Sequence, residues 1–419
     1  TETQSPLFAA WQGVLASRLS ELEVQFTLAS PYAFFEENLD GVFVIPKHLL
    51  DDVSPANWRL SEFNLKPVGS GPYAVDSYSA RSDGFIETYL LKQNPRSVRG
   101  KPLIESVIFR FFSDPADLLK SFNSGRVDAM GGLTPKELAE IRRPYQLLSF
   151  ELPRYYAVFL NQSKNLALKE LAVRRALSLA VNREDLVSSV FEGRGAPVYG
   201  PIPPGAPYSK SETLRESSSS EAAKELLQKA GWKLTEGGSR EKTVKSTAVP
   251  LSLKIVVPQV GWLVETANAL RSAWQGIGIQ VELVPRSPDD IAQTIIKNRD
   301  YEALLFGNIL GPSSDLFSFW HSSERFYPGL NLSLYNNKQA DSLIAAVRQN
   351  LDGEAREKQF EELQAKIAGD YPAVFLYSPD YLYLAAKSLG GAETGAIAES
   401  DERFRGFEKR YLRTTRVFQ

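Results

Sequence analysis

The stretch KPVGSGPYAV, Lys66–Val75, places two glycines one residue apart, a spacing that can cradle a phosphate. Such a loop needs consecutive free N–H groups running into a helix, and Pro72 removes a donor directly after Gly71. The next residues, YAVDSYSA, alternate like a strand, and no G-x-G-x-x-G is completed. Gly69-Ser70-Gly71 therefore reads as a tight turn feeding a strand. Other chemistry finds little support. Asp289-Asp290 sits at a helix start, where adjacent carboxylates favour the dipole and act as caps. The chain has no cysteine and only two histidines, His48 and His321, which removes thiolate chemistry and leaves metal sites and triads short of members. His321 follows Trp320 in a polar segment and is expected at the surface. No G-x-S-x-G, H-E-x-x-H or Walker loop occurs. No catalytic residue, metal site or cofactor is expected.

The bulk composition bounds the rest. A chain of 419 residues can hold two or three domains, and 43% apolar with 23% charged residues is ordinary for a globular protein. A net charge of −2, without a dense Lys/Arg run, gives no footprint for nucleic acid. No apolar run approaches the roughly 18 residues of a membrane span. The first residues, TETQSPLFAAWQG, do not form a signal peptide. An opening on Thr1 suggests processing, trimming or excision from something longer, and the lack of cysteine fits export to an oxidising compartment.

The elements follow from periodicity and caps. YAVDSYSA and GFIETYLLKQNP make a hairpin around Arg81-Ser82-Asp83-Gly84. LIESVIFRFF is a strand; Asp114-Pro115 and Thr134-Pro135-Lys136-Glu137 each start a helix, with RVDAM a strand between. YYAVFLNQ is a strand, and KELAVRRALSLAVNREDLVSSVFEG is helical in period. Prolines make 195–209 extended, and the tract Thr235–Thr247 reads as a surface loop. A second strand–helix alternation runs from LSLKIVVP to YEALLFGN. Two helices and the strand pair YPAVFLYSPDYLYLAA close the pattern. Two α/β lobes joined by more than one crossing imply a hinge with a cleft between them.

In order along the chain, GSGPYAV, SGRVDAM, VRRALSLAVNRE, FEGRGAPVYGPIPP, EAAKELLQKAGW, YEALLFGN, LNLSLYNNKQADSLI and YPAVFLYSPDYLYL resemble the extracellular solute-binding proteins of family 5, the peptide- and nickel-binding type serving ABC importers. The resemblance implies an α/β, bilobed, type II periplasmic-binding-protein-like fold with mixed sheets and a hinge, plus a partial small extra domain. It implies residues 1–65 as a remnant of that extra domain, 66–157 with 376–419 as the first lobe and 158–375 as the second. The resemblance also implies that the family's opening segment lies outside these residues. The implied function is capture of a small solute, oligopeptide-like or other, and delivery to a permease. A ligand-sensing module of the same fold and, less favoured, a hydrolase are the alternatives. A monomer is expected, exported to the periplasm or cell surface, reaching a membrane only through a lipid anchor outside these residues.

The resemblance also points to a site. Peptide binders of the family place an aspartate just after the YEALLFGN type of strand, where it pairs with the ligand's amine; here that position is Asn308. An amide cannot supply that charge, so free-amine peptides are expected to bind weakly. Asp315 is open to two readings, an inward-facing substitute or a cap for the LFSFW helix. Phe306, Trp320 and Trp262 are candidate aromatic walls, and each can equally fill core. Asn331, Tyr335, Asn336 and Asp341 match a family motif and read as mainly structural, with Tyr335 able to reach the cleft. One of Arg174 and Arg175 is expected to snorkel or pair with an acid.

Overall fold

The computed structural model describes residue 11 and residues 13–311 and 313–413. A hairpin of β1 (Leu15–Arg18) and β2 (Val24–Thr27) comes first, followed by short helical turns. Phe34 is nonetheless fully buried, its ring against Phe360 of the second lobe. Next β3 (Tyr73–Ala80), β4 (Ile86–Gln93) and β5 (Ser106–Arg110) form an antiparallel sheet. Its first turn uses Gly84 at φ 87°, the left-handed conformation the Asp-Gly pair signals. The Asn94 side chain donates to the carbonyls of Gly69 and Gly71, tying the Gly-Ser-Gly turn to the end of β4.

Local caps set the following helices. Asp114 accepts from the Ala116 amide at 2.8 Å and starts α1 (Pro115–Asn123). After β6 (Ala129–Leu133), Thr134 and Glu137 close a reciprocal capping box on α2 (Pro135–Leu138). β7 (Tyr145–Phe150) then leads through Glu151–Pro153 into a second sheet.

That sheet starts with β8 (Arg154–Leu160). The helical stretch after it is two helices, α3 (Leu171–Leu179) and α4 (Arg183–Phe191). Asn182 interrupts them because its side chain caps the second, accepting from the Asp185 amide. β9 (Gly195–Pro197) and α5 (Ser220–Lys229) follow. The tract expected as a loop instead contributes to a small antiparallel sheet, β10 (Lys233–Leu234), β11 (Arg240–Val244) and β12 (Thr247–Pro250). Its turn uses Lys245 and Ser246, both left-handed (φ 48° and 67°), so the usual Asn-Gly signal is missing. Arg240 anchors it, donating to the Ile277 and Trp232 carbonyls.

The chain continues through β13 (Ser252–Pro258), α6 (Gly261–Gln275), β14 (Gln280–Arg286), β15 (Ala303–Ile309), α7 (Lys338–Gln349), α8 (Gly353–Asp370) and β16 (Ala373–Pro379). The order across the six-stranded mixed sheet is β14-β13-β15-β8-β16-β9. β13 is parallel to β14 and β15; β8 is antiparallel to both its neighbours. Both faces are covered, so the strands read as continuous apolar runs. Val158, Leu160, Ile255 and Leu305 enter one core; Tyr155, Ala157, Phe159 and Leu304 enter the other.

At Asp380 the chain returns to the first lobe as β17 (Tyr381–Ala386), the centre strand of an antiparallel sheet with β6 and β7. Leu382 and Leu384 pack on one face, Tyr383 and Ala385 on the other. The short pair β18 (Leu389–Gly390) and β19 (Tyr411–Leu412) ends the described chain. A cavity of about 780 Å³ lies beside these strands, lined by all of β5 and β6. Each of those strands is an outer strand of its sheet among the described residues.

Candidate functional site

The candidate site is the seam where the chain passes between the six-stranded sheet and the β6-β17-β7 sheet. The carboxyl ends of β13, β15 and β16 and the first residue of β8 lie on one edge of the six-stranded sheet. Both crossings to the first lobe, Glu151–Pro153 and Asp380, leave from that edge. The carboxyl end of parallel strands is where open α/β sheets take ligands.

An aromatic wall stands there. The rings of Tyr156 and Trp262 meet edge to face, centroids 4.7 Å apart and planes at 89°. Both are half-buried and pack on Tyr377, and Trp262 also packs on Phe191. The Tyr377 hydroxyl shares a 2.6 Å hydrogen bond with Thr266 on α6, which fixes the base of the wall. Gly307 makes room for it: a Cβ there would come within 2.7 Å of Tyr156 Cε1.

Charge collects beside the wall. Arg154 begins β8 and donates from Nη2 to the Pro379 carbonyl over a long 3.4 Å. Its Nε is shut away from water with no acceptor, and it forms no ion pair among the described residues. Burial lowers its pKa below the ordinary guanidinium value, opposed by Tyr156, Tyr381 and Asp380. Arg194, next to β9, also has a buried Nε without an acceptor. Between them lies Asp380, whose amide donates to the Arg194 carbonyl and whose carboxylate accepts from Ser149 at 2.6 Å. On the first-lobe side, Tyr381 packs over Gly131. Lys136 on α2 reaches across to an ion pair with Glu265 in the first turns of α6. A cavity of about 210 Å³ sits at the same crossing, bounded by Glu151–Pro153, Pro204–Pro207 and Ala396–Ala398.

Of the residues singled out in the sequence, Trp262 stands in this seam. Asn308 lies on the other face of β15, 3% exposed, its amide donating to the Tyr155 hydroxyl at 2.9 Å. Phe306 is half-buried against the same core. Trp320 is fully buried there, near Phe159, Tyr335 and Phe375. The Tyr335 hydroxyl donates to Asp370 at 2.6 Å, and Asn331 clasps the Tyr335 backbone through its amide and its carbonyl. Asp315 accepts from Tyr32 (2.8 Å), caps Phe317 (3.0 Å) and pairs with Arg348 (3.1 Å). His321 stacks on Phe317 and bonds Ser323. Among the described residues no cluster of three or more His, Asp or Glu could hold a metal ion, and no helix is long and apolar enough to cross a membrane. Sequence reasoning missed Arg154, Arg194, Tyr156 and the Lys136–Glu265 pair. The one available signal was a charged residue, Arg154, directly ahead of a run buried on both faces.

Comparison with known proteins places this geometry. Residues 1–326 match the family model of the bacterial extracellular solute-binding proteins, family 5 middle. The chain is 28% identical over 365 residues to the oligopeptide-binding protein AppA of Bacillus subtilis, covering 85% of this chain and 65% of AppA. It thus spans a little under two thirds of that relative's length. The solved structure of Bacillus subtilis AppA in complex with a nonapeptide has a TM-score of 0.73 at 24% identity, covering 97% of this chain and 79% of that one. NikZ from Campylobacter jejuni in complex with Ni(L-His) has a TM-score of 0.77 at 22% identity, covering 98% and 81%. The bilobed fold is that of the periplasmic binding proteins, and the chain belongs to the bacterial extracellular solute-binding proteins of family 5.

Proposed function

We propose that the chain is the solute-capturing part of an ABC importer, closing two lobes on a small ligand and delivering it to a permease outside the membrane's inner face. It binds and does not transform its guest. The observation that carries this reading is the seam itself: two sheets meet at the strand ends, the backbone crosses there twice, and a half-buried aromatic pair faces the junction. Ligand energy closes such a hinge only through contacts made to both lobes at once. The Lys136–Glu265 pair is one such cross-lobe contact already in place.

The lobes are residues 66–150 with 381–419, and 154–379, limits that leave β8 and β16 whole in one sheet, with the crossings at Glu151–Pro153 and Asp380 as the hinge. Residues 1–65 are the remnant of a small extra domain, held to the second lobe by Phe34 and Tyr32. The protein works as an exported monomer. Its relatives' names and structures speak of oligopeptides and of a nickel–histidine complex, and the ligand class proposed for this chain is of that kind. Asn308, the position singled out for pairing with a free amine, is buried against Tyr155, so the preference for or against unmodified short peptides rests on other residues of the seam.

Thermal melting in the presence of free-amine and N-blocked peptides tests the reading, since a ligand of the folded state alone raises the melting temperature. A ligand-dependent rise with a smaller radius of gyration supports it. Turnover of a bound peptide would overturn it.

A further inference from the structure

Resting on that reading, we infer that Arg154, with Arg194 beside it, holds a carboxylate of the captured ligand.

The arginines with donors shut away from water divide into two groups. Arg174 donates to the carbonyls of Leu168, Lys169, Asp370 and Tyr371. Arg183 donates to the Phe375 carbonyl and the Ser178 hydroxyl. Arg299 donates to the Arg325, Ile296 and Gly329 carbonyls. These guanidiniums knit backbone together, and their donors are used. Arg154 has only the 3.4 Å contact to Pro379, and its Nε has none. Arg194 likewise keeps a buried Nε without an acceptor. Arg403 and Arg410 have unused donors too, but they stack on Phe404 and Phe407 within the first lobe, Arg403 lying also over Tyr381.

An arginine cannot escape burial by losing its proton, so its charge persists. Arg154 and Arg194 are half-buried with the Nε of each cut off from water, and a partly desolvated cation without a counter-charge is costly. β8 and β9 flank β16 in the sheet, so the two arginines stand on either side of the crossing at Pro379–Asp380. The acid between them is Asp380, already engaged by Ser149 and forming no ion pair with either. Two fixed positive charges against one negative leave the hinge edge with room for an anion. A carboxylate fits the planar fork of donors that guanidinium offers. The Tyr156–Trp262 wall next to Arg154 supplies an apolar face for the remainder of the molecule. A free ammonium at the same edge would be repelled by the two guanidiniums.

Calorimetry on the chain of residues 1–419 tests this with three probes. Two are N-acetylated tetrapeptides identical except for a C-terminal carboxylate or carboxamide; the third is Ni(L-His). The expected result is binding of the acid peptide or the nickel complex, with the amide peptide at least about tenfold weaker. Arg154→Gln should lose about 10- to 100-fold, Arg154→Lys should recover part of it, and Arg194→Gln should lose less. Circular dichroism melts establish that the variants fold; if Arg154→Gln does not, the acid–amide contrast in the unaltered protein and in Arg154→Lys decides. Equal affinity for acid and amide, or full affinity in Arg154→Gln, overturns the role of Arg154 and leaves the receptor reading standing. Failure of all three probes to bind the unaltered protein overturns the proposed ligand class and this inference with it.

Discussion

Lys136 and Glu265 form an ion pair across the seam, linking α2 of the first lobe to α6 of the second. Neither belongs to the core of its lobe, and their side chains keep 68% and 38% of their exposure. The pair therefore acts on the balance between open and closed forms more than on folding. Glu265→Gln should weaken ligand binding by up to about fivefold, the worth of an exposed pair. The loss should shrink in high salt, and swapping both charges should restore affinity. Scattering and calorimetry at low and high salt check this; an unchanged radius of gyration and affinity would remove the pair from the closing mechanism.

Gly307 gives way to the Tyr156 ring, so Gly307→Ala must push that ring off Trp262. Overpacking of this kind costs about 1–3 kcal/mol. Urea unfolding should show the loss, and quenching of tryptophan fluorescence by ligand should change with it.

Arg174 and Arg175 are neighbours with opposite prospects. Arg174→Ala would strip donors from four carbonyls, that of Leu168 buried, and should cost about 2–3 kcal/mol. Arg175 pairs with Glu216 at the surface, and Arg175→Ala should cost under about 1 kcal/mol. Denaturation midpoints at neutral pH distinguish the two; equal losses would contradict the assignment.

Alkaline pH should loosen the second lobe. Burial, then the hydrogen bond to Glu184, pushes the Tyr199 phenol up to about 12; burial, then the bond to Glu216, does the same for Tyr371. A raised pKa in the folded state means the neutral phenol is favoured there. The contribution is complete below the ordinary value of about 10 and is lost as pH rises toward about 12. Melting temperatures should fall across that window, and the fall should be shallower in Tyr199→Phe and Tyr371→Phe.

β5 and β6 are outer strands bordering a cavity of about 780 Å³, whereas β8 is bonded on both sides within two cores. Amide exchange in β5 and β6 should therefore run orders of magnitude faster than in β8 and β16. Equal protection would show those edges to be covered.

The sequence determined what depends on near neighbours. Asp114 and Thr134 cap helices because a short polar side chain reaches amides two or three residues on, whereas the cap at Asn182, which splits one helical period in two, was not read from the periodicity. The Asp83-Gly84 turn and the apolar runs of β8 and β16 were legible for similar reasons, and so was the ordered set of segments that marks the family. The β11–β12 hairpin was not, because its left-handed turn uses lysine and serine. For the site, periodicity reaches its limit at strands buried on both faces. YEALLFGN does not reveal that Gly307 faces the seam while Asn308 faces Tyr155, because either face is apolar. Nor can Trp262, Trp320 and Tyr335 be sorted by type: all three are aromatic, and only packing puts the first at the seam and the others in core. Arg154 meets Pro379 and Asp380 only because the chain crosses between lobes twice at one sheet edge. That meeting is set by tertiary topology, since no local rule links residues so far apart along the chain.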